Sequence, residues 1–129
     1  MVIPNFVDRA KRGETLFVHG EGNQSRCFCH VADVVRGLVG LMQCDEARGQ
    51  VVNLGSEEEI TIAKLAEKVI SELKSSASVE HLSYEAVYGE GFEDMQRRVP
   101  SIEKAKRMIG WQPEHSLTKI LADVASMTD

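Results

Sequence analysis

Apolar and polar residues alternate along this chain with two different periods, and the places where the period changes divide it into short elements. Phe6, Val7 and Ala10 recur at helical spacing behind Pro4, which a helix tolerates in its first turn, and Gly13 supplies a stop. A helix is therefore expected over residues 3–12. Thr15 to His19 is rich in β-formers and alternates weakly, which predicts a strand. A second alternating stretch ends at Asp33, which is expected to cap a helix carrying Val34, Val35, Leu38, Val39, Leu41 and Met42. That apolar set covers more than one face, so the pattern predicts a helix buried on two sides. QVVNLG, residues 50–55, reads as a short buried strand closing on Gly55.

The clearest helix follows Thr61, its expected cap. Leu65, Ala66, Val69, Ile70 and Leu73 form one stripe, and Lys64, Glu67, Lys68 and Glu72 lie outside it. Ser75, Ser76 and Ser78 mark a loop, and Val79 to Tyr84 is expected as a strand. Residues 85–100 have two glycines, Pro100 and no sustained period, which predicts a long loop of the kind that often carries function. Ser101 is expected to cap a short helix with Ile102, Ala105, Met108 and Ile109, stopped by Gly110. After a Trp111-Gln112-Pro113 turn, Ser116 caps a last helix with Leu117, Ile120, Leu121 and Val124. The order is helix, strand, strand, helix, strand, helix, strand, helix, helix. This is a mixed α/β (α+β) chain, expected to form one domain over residues 1–129.

Composition narrows the class. A length of 129 residues suits one modest core, and 43% apolar with 27% charged residues is ordinary for a soluble globular protein. The net charge of −5, spread in short acidic runs such as Glu57-Glu58-Glu59, argues against nucleic acid as a partner, because a phosphate backbone rewards a coherent basic face. No apolar run approaches the roughly 18 residues that span a bilayer, so no membrane partner and a cytoplasmic location are expected. Cys27, Cys29 and Cys44 fit that compartment as free, mostly buried thiols. Cys27, Cys29 and His30 lack the second ligand pair that makes a zinc site convincing.

The candidate chemistry is that of binding. No serine elbow, helical metal-binding histidine pair or phosphate-binding glycine loop opening a helix is present. The HGEGNQ run has two glycines, lacks the third, and leads into a strand. Arg26 follows this turn and Arg98 lies in the long loop. Arginine's planar fork suits bidentate contact with phosphate, so the two converging would clamp a diphosphate. Local pattern leaves two solvated surface arginines equally open. His19 and His30, near the turn, read as structural or ligand-lining histidines, since no oriented partner is visible for a general base.

The run IPNFVDRAKRGETLFVHGEGNQSRCFCHVADVVRGLVGLM, then VVNLGSEEEITIAKLAEKVI and EDMQRRVPSIEKAKRMIGWQPEHSL, resembles the later part of NAD-dependent nucleotide-sugar epimerases and dehydratases, the extended short-chain dehydrogenase/reductases. The shared features are the glycine turn leading to Gln24 and Arg26, the Val31-Ala32-Asp33 helix entry, Asn53-Leu54-Gly55 and the Gly110-Trp111-Gln112-Pro113 turn. Among family members the likeness is nearest to UDP-glucuronate decarboxylases. It implies a C-terminal, sugar-nucleotide-binding lobe without the Rossmann lobe that holds NAD, hence no cofactor in this chain. The glycine-rich dinucleotide fingerprint and the catalytic tyrosine with a lysine four residues later are both missing from these positions.

Carried over, the resemblance implies that Phe17 and His19 line the pyrimidine base, Arg26 and Arg98 hold the diphosphate, and Asn53 contacts the nucleotide. The full enzymes oxidise the sugar at C4 transiently with NAD and return the hydride. No residue of this chain matches a catalytic position of that reaction, so the lobe alone is expected to bind a UDP- or dTDP-sugar without turning it over. The departures are Glu93-Asp94-Met95 in place of an aspartate-rich, proline-containing loop, Ser101 in place of an aspartate, and Ile120 near a usual glycine. A non-catalytic module from a truncated gene, associating with itself through the surface that would face the Rossmann lobe, is the other expectation.

Overall fold

Leu16 and Val18 are fully buried and Phe17 and His19 half-buried, so the first strand has one inward face and one outward face. In the computed structural model, which describes residues 1–88 and 94–127, this strand β1 (Leu16–His19) pairs in parallel with β4 (Val79–Leu82), Leu16 opposite Val79 and His19 opposite Leu82. Two helices pack on it. Helix α1 (Val2–Lys11) buries Ile3, Phe6, Val7 and Ala10. Helix α3 (Ile62–Leu73) buries Ile62, Leu65, Ala66 and Val69, and Thr61 Oγ1 caps it by accepting from Lys64 N at 3.3 Å. Both amphipathic stripes face the core as their spacing predicts.

These elements belong to one of two compact units, which gathers Met1–Arg26, Ile60–Arg97 and Leu121–Asp129. It takes in the first two residues of a strand β2 (Ser25–Cys27) and the last two of its partner β3 (Glu59–Thr61), and Ile62 N donates to Gln24 O at 3.0 Å. The turn between β1 and β2 puts Gly22 at φ +73°, where a Cβ would lie 2.6 Å from Val18 Cγ1 and 3.0 Å from the backbone nitrogen of Ala63. A short helix, α4 (Tyr84–Tyr88), opens what the pattern reads as a loop from 85 to 100. Positions 89–93 of that loop, including both of its glycines, lie outside the described residues.

The second unit, Cys27–Glu59 and Arg98–Ile120, holds α2 (Val31–Met42), a single 3-10 turn at Asp45–Ala47 and α5 (Glu103–Ile109). Its core joins Trp111, Ile102 and Ala105, with Cys29, Val52, Leu54 and Ile109 against them. Helix α6 (Leu117–Met127) starts here, where Ser116 Oγ accepts from Lys119 N at 3.3 Å. No helix among the described residues is long and apolar enough to cross a membrane.

Four expectations are corrected in this unit. The cap of α2 is His30, whose Nδ1 accepts from Ala32 N at 3.1 Å, and Asp33 sits inside the first turn. Instead of burying two faces, α2 buries only Asp33 and Gly37, and leaves Val31, Val35, Leu38, Val39 and Met42 between 47% and 86% exposed. Residues 50–55 are not a strand. Without a partner ladder their polar groups turn to side chains and loops: Lys104 Nζ donates to Val51 O at 2.9 Å, and Asn53 Nδ2 to Ser101 O at 3.3 Å. A strand that the pattern does not predict, β3, follows at Glu59–Thr61. Finally, Ile102 rather than Ser101 precedes α5, and Glu57 Oε1 accepts its N–H at 3.3 Å.

Candidate functional site

The first unit holds three of the five residues the sequence singles out. Phe17 and His19 project from the same outward face of β1, because side chains two apart on a strand share a side. The guanidinium of Arg9 lies 4.8 Å from the centre of the Phe17 ring, a cation–π contact that already occupies one of its faces. The carbonyl of His19 accepts from Gln24 Nε2 at 3.1 Å, which steadies the glycine turn. Arg26 lies on β2, and its fork is folded onto its own chain. Nη1 donates to Ser25 O and Met95 O, each at 2.7 Å, and Nη2 meets Asp94 Oδ1 at 2.8 Å.

The second unit holds the other two, and it brings them together. Asn53 and Arg98 line one cavity of about 430 Å³, with Cys27, Cys29, Ser56 and Pro100 among its walls. Among the described residues Arg98 has no ion pair or hydrogen bond, so its fork remains available to an anion. With its Nδ2 engaged by Ser101 O, Asn53 keeps its amide oxygen for a donor on a ligand. Gly55 forms part of the floor, where a Cβ would come within 3.0 Å of Pro100 Cγ. The three cysteines form no disulfide among the described residues and are half-buried rather than mostly buried. Burial, and then the nearby Asp33 carboxylate, push the Cys29 thiol up from its ordinary value, which disfavours its reactive thiolate.

A second cleft of about 420 Å³ in the same unit is lined by Glu57, Glu58 and Glu114 beside Lys106 and His115. Three carboxylates make it a poor host for phosphate. Among the described residues no three His, Cys, Asp or Glu side chains are grouped to hold a metal ion.

The glycine turn is not a dinucleotide-binding loop. Gly20 and Gly22 lead into β2 and not into a helix, so the turn offers no helix N-terminus to a pyrophosphate. Two site features are invisible in local sequence patterns. The contribution of Cys27 and Cys29 to the wall of the Arg98 cavity depends on the tertiary fold, as does the contact of Asp94 with Arg26 across 68 positions. The only sequence signal for Asp94 is its place in the segment that leads to Arg98.

Comparison with known proteins gives this geometry a context. The chain is 36% identical over 115 residues to a UDP-N-acetyl-alpha-D-glucosaminuronate decarboxylase of Bacillus cytotoxicus, covering 89% of this chain and 36% of that protein. It is 41% identical over 112 residues to UDP-glucuronic acid decarboxylase 1 of Danio rerio, covering 87% of this chain and 25% of the relative. It thus spans about a third or less of the length of these relatives. Its fold matches a UDP-glucuronic acid 4-epimerase from Bacillus cereus, solved in complex with UDP-glucuronic acid and NAD, at a TM-score of 0.83 and 23% identity, over 98% of this chain and 40% of that one. The family model described as GDP-mannose 4,6 dehydratase matches residues 1–124, and the chain belongs to this family of NAD-dependent nucleotide-sugar epimerases and dehydratases.

Proposed function

We propose that this chain is the sugar-nucleotide-binding lobe of an NAD-dependent nucleotide-sugar epimerase, dehydratase or decarboxylase, and that it binds a UDP- or dTDP-linked sugar without turning it over alone. The observation that carries this reading is the shared cavity of Asn53 and Arg98, of about 430 Å³, with the Arg98 guanidinium, unpaired among the described residues, at its wall. That volume falls in the range of small-molecule sites, and a fork of fixed donors matches diphosphate oxygens. Phe17 and His19, on one face of β1, are assigned to the pyrimidine base, and Arg26 and Arg98 are each assigned to diphosphate oxygens. Names of the relatives, two of them decarboxylases of UDP-linked uronates, support a UDP-linked ligand. The chain's own residues bind and orient. Hydride chemistry belongs to NAD, which on this reading is held by the Rossmann lobe of the full enzyme.

Titration of UDP into the purified chain by calorimetry tests this. Saturable binding that is lost in both Arg98→Ala and Arg26→Ala is the expected result. No heat from UDP or dTDP at millimolar concentration would overturn it.

A second reading rests on α2, whose exposed positions 31, 35, 38, 39 and 42 form one apolar stripe. On this reading the chain associates with a second copy through that stripe. Sedimentation or light scattering over a concentration series tests it, and a monodisperse monomer at high concentration counts against it.

A further inference from the structure

The fork of Arg26 is already neutralised from within the chain. Of its three acceptors among the described residues, Ser25 O and Met95 O are uncharged carbonyls that hold the guanidinium in position, whereas Asp94 supplies a full negative charge at 2.8 Å. The pair is sheltered: the Arg26 side chain is 16% exposed and that of Asp94 27%. An ion pair in such a place is screened far less than one on the open surface.

The carboxylate is held by more than its attraction to Arg26. Its second oxygen, Oδ2, accepts from the Tyr84 hydroxyl at 3.2 Å. The Tyr84 ring in turn lies against Gly20, where a Cβ would come within 2.4 Å of Cε2, so the ring seats only because that position is glycine. On its other side the Asp94 segment is pinned to β2: Ser25 N donates to Gln96 O at 2.8 Å, and Ser25 forms a parallel bridge with Arg97. Both oxygens of Asp94 are thus committed before any ligand arrives.

We propose that Asp94 is an internal counter-anion for Arg26, one that a diphosphate must displace, and that it therefore sets the affinity and the anion selectivity of this half of the site. The proposal rests on the reading of Arg26 as a diphosphate ligand. Its physical content is an exchange. A diphosphate that takes the fork replaces one anion with another, and binding strength is the difference between the two contacts less the cost of moving Asp94. Weak, diffuse anions do not gain enough to displace a carboxylate held by Tyr84. A diphosphate, with several charged oxygens in fork geometry, does. Arg98, which has no carboxylate on it among the described residues, requires no such exchange with any of them, so the two arginines differ in selectivity although both are guanidinium groups.

Asp94→Asn separates the charge from the shape. The carboxamide oxygen still accepts from Arg26 and the two carbonyls still position the guanidinium, but the competing charge is gone. UDP affinity is expected to rise about tenfold, in line with the loss of one competing charge-assisted contact. Tyr84→Phe, which frees one oxygen of Asp94, raises it less, by about twofold to threefold. A readout that does not depend on nucleotide is the rate at which phenylglyoxal modifies Arg26, followed by peptide mass spectrometry with Arg98 as the internal reference. It is expected to increase in Asp94→Asn and to change little at Arg98. Unchanged modification of Arg26, or weaker UDP binding in Asp94→Asn with an unchanged melting temperature, would overturn the proposal, the second outcome showing that Asp94 positions Arg26 instead of competing for it. If Arg26 becomes more reactive while neither protein binds UDP, Asp94 is upheld as the counter-anion and the nucleotide reading is what fails.

Discussion

Asp33 Oδ2 accepts the backbone N–H of His115 at 3.0 Å, tying the first turn of α2 to a residue 82 positions away. The same oxygen accepts from Glu114 N at 3.1 Å, and Oδ1 meets Arg36 Nη2 at 3.0 Å. The carbonyl of Asp33 takes the indole N–H of Trp111 at 2.8 Å. One residue thus fastens the Gly110–Ser116 turn to the helix through both its backbone and its side chain. His115 Nδ1 also lies 3.0 Å from Oδ2, but off the angle of a hydrogen bond.

Burial by itself would push the Asp33 carboxyl up. The backbone N–H of His115, the Arg36 guanidinium, the His115 ring and the N–H of Glu114 outweigh it and hold the group at about 2 instead of 3.8. A carboxylate with a depressed native value stabilises the fold above its unfolded value and loses that contribution as pH falls toward the native one. Stability should therefore drop between about pH 4 and 2 in the wild type. Asp33→Asn should already be destabilised at neutral pH by about 3 kcal/mol, since donors at a buried site lose their charged acceptor. Its melting temperature should fall by roughly 10 °C, and its pH profile in that window should be flatter. Parallel acid profiles for the two proteins would assign the transition to another carboxylate.

Gly37→Ala sets two effects against each other in the same unit. In the middle of α2 alanine is favoured over glycine by about 1 kcal/mol. A Cβ at Gly37, however, would lie 2.8 Å from both Leu54 methyls and 2.9 Å from Trp111 Nε1. The leucine can turn away, but the indole is held by its bond to the Asp33 carbonyl. Overpacking should win by about 1–2 kcal/mol, measured by urea denaturation. Stabilisation would mean that Trp111 moves freely.

Legibility in the sequence followed the range of the forces involved. Helices α1 and α3 were readable because one apolar stripe against one polar face is a local pattern, and Leu65, Ala66 and Val69 are buried as it requires. The apolar set of α2 carried the same information about polarity but none about what covers it, and its surplus residues lie at the surface. Asp33 looked like a cap because aspartate before an apolar run usually is one. Its actual partners, Glu114 and His115, become neighbours only after the chain returns. Asn53 and Arg98 were reached through family resemblance and arginine chemistry. Their shared cavity, and the thiols in its wall, are products of tertiary packing.

Those thiols report on the cavity directly. Cys27 and Cys29 line it together with Arg98. If UDP enters there, alkylation of both by iodoacetamide should slow severalfold at saturating UDP, while Cys44, which is not among the cavity's lining residues, should be unaffected. Cys29 should react slowly even without ligand and accelerate late as pH rises, because burial and Asp33 disfavour its thiolate. Peptide mass spectrometry separates the three sites. Protection of Cys44 to the same degree would indicate a general stiffening instead of occupancy.

The α2 stripe yields the last prediction. Val31, Val35, Leu38, Val39 and Met42 lie at helical spacing and are exposed, and the helix's two charged residues, Asp33 and Arg36, are paired with each other. No free charge on α2 therefore opposes apposition of two such stripes, and covering them removes apolar side chains from water at about 25 cal/mol per Å². Leu38→Glu places a carboxylate in the middle of that surface. It should weaken self-association by at least about tenfold, because a buried unpaired charge costs several kcal/mol at an interface. The melting temperature of the dilute protein should hardly change, since Leu38 is exposed within the chain. Sedimentation velocity on both proteins over the same concentration range decides it. Equal association of wild type and Leu38→Glu would remove α2 from the interface, and a large loss of stability at low concentration would show that the stripe is covered within the chain.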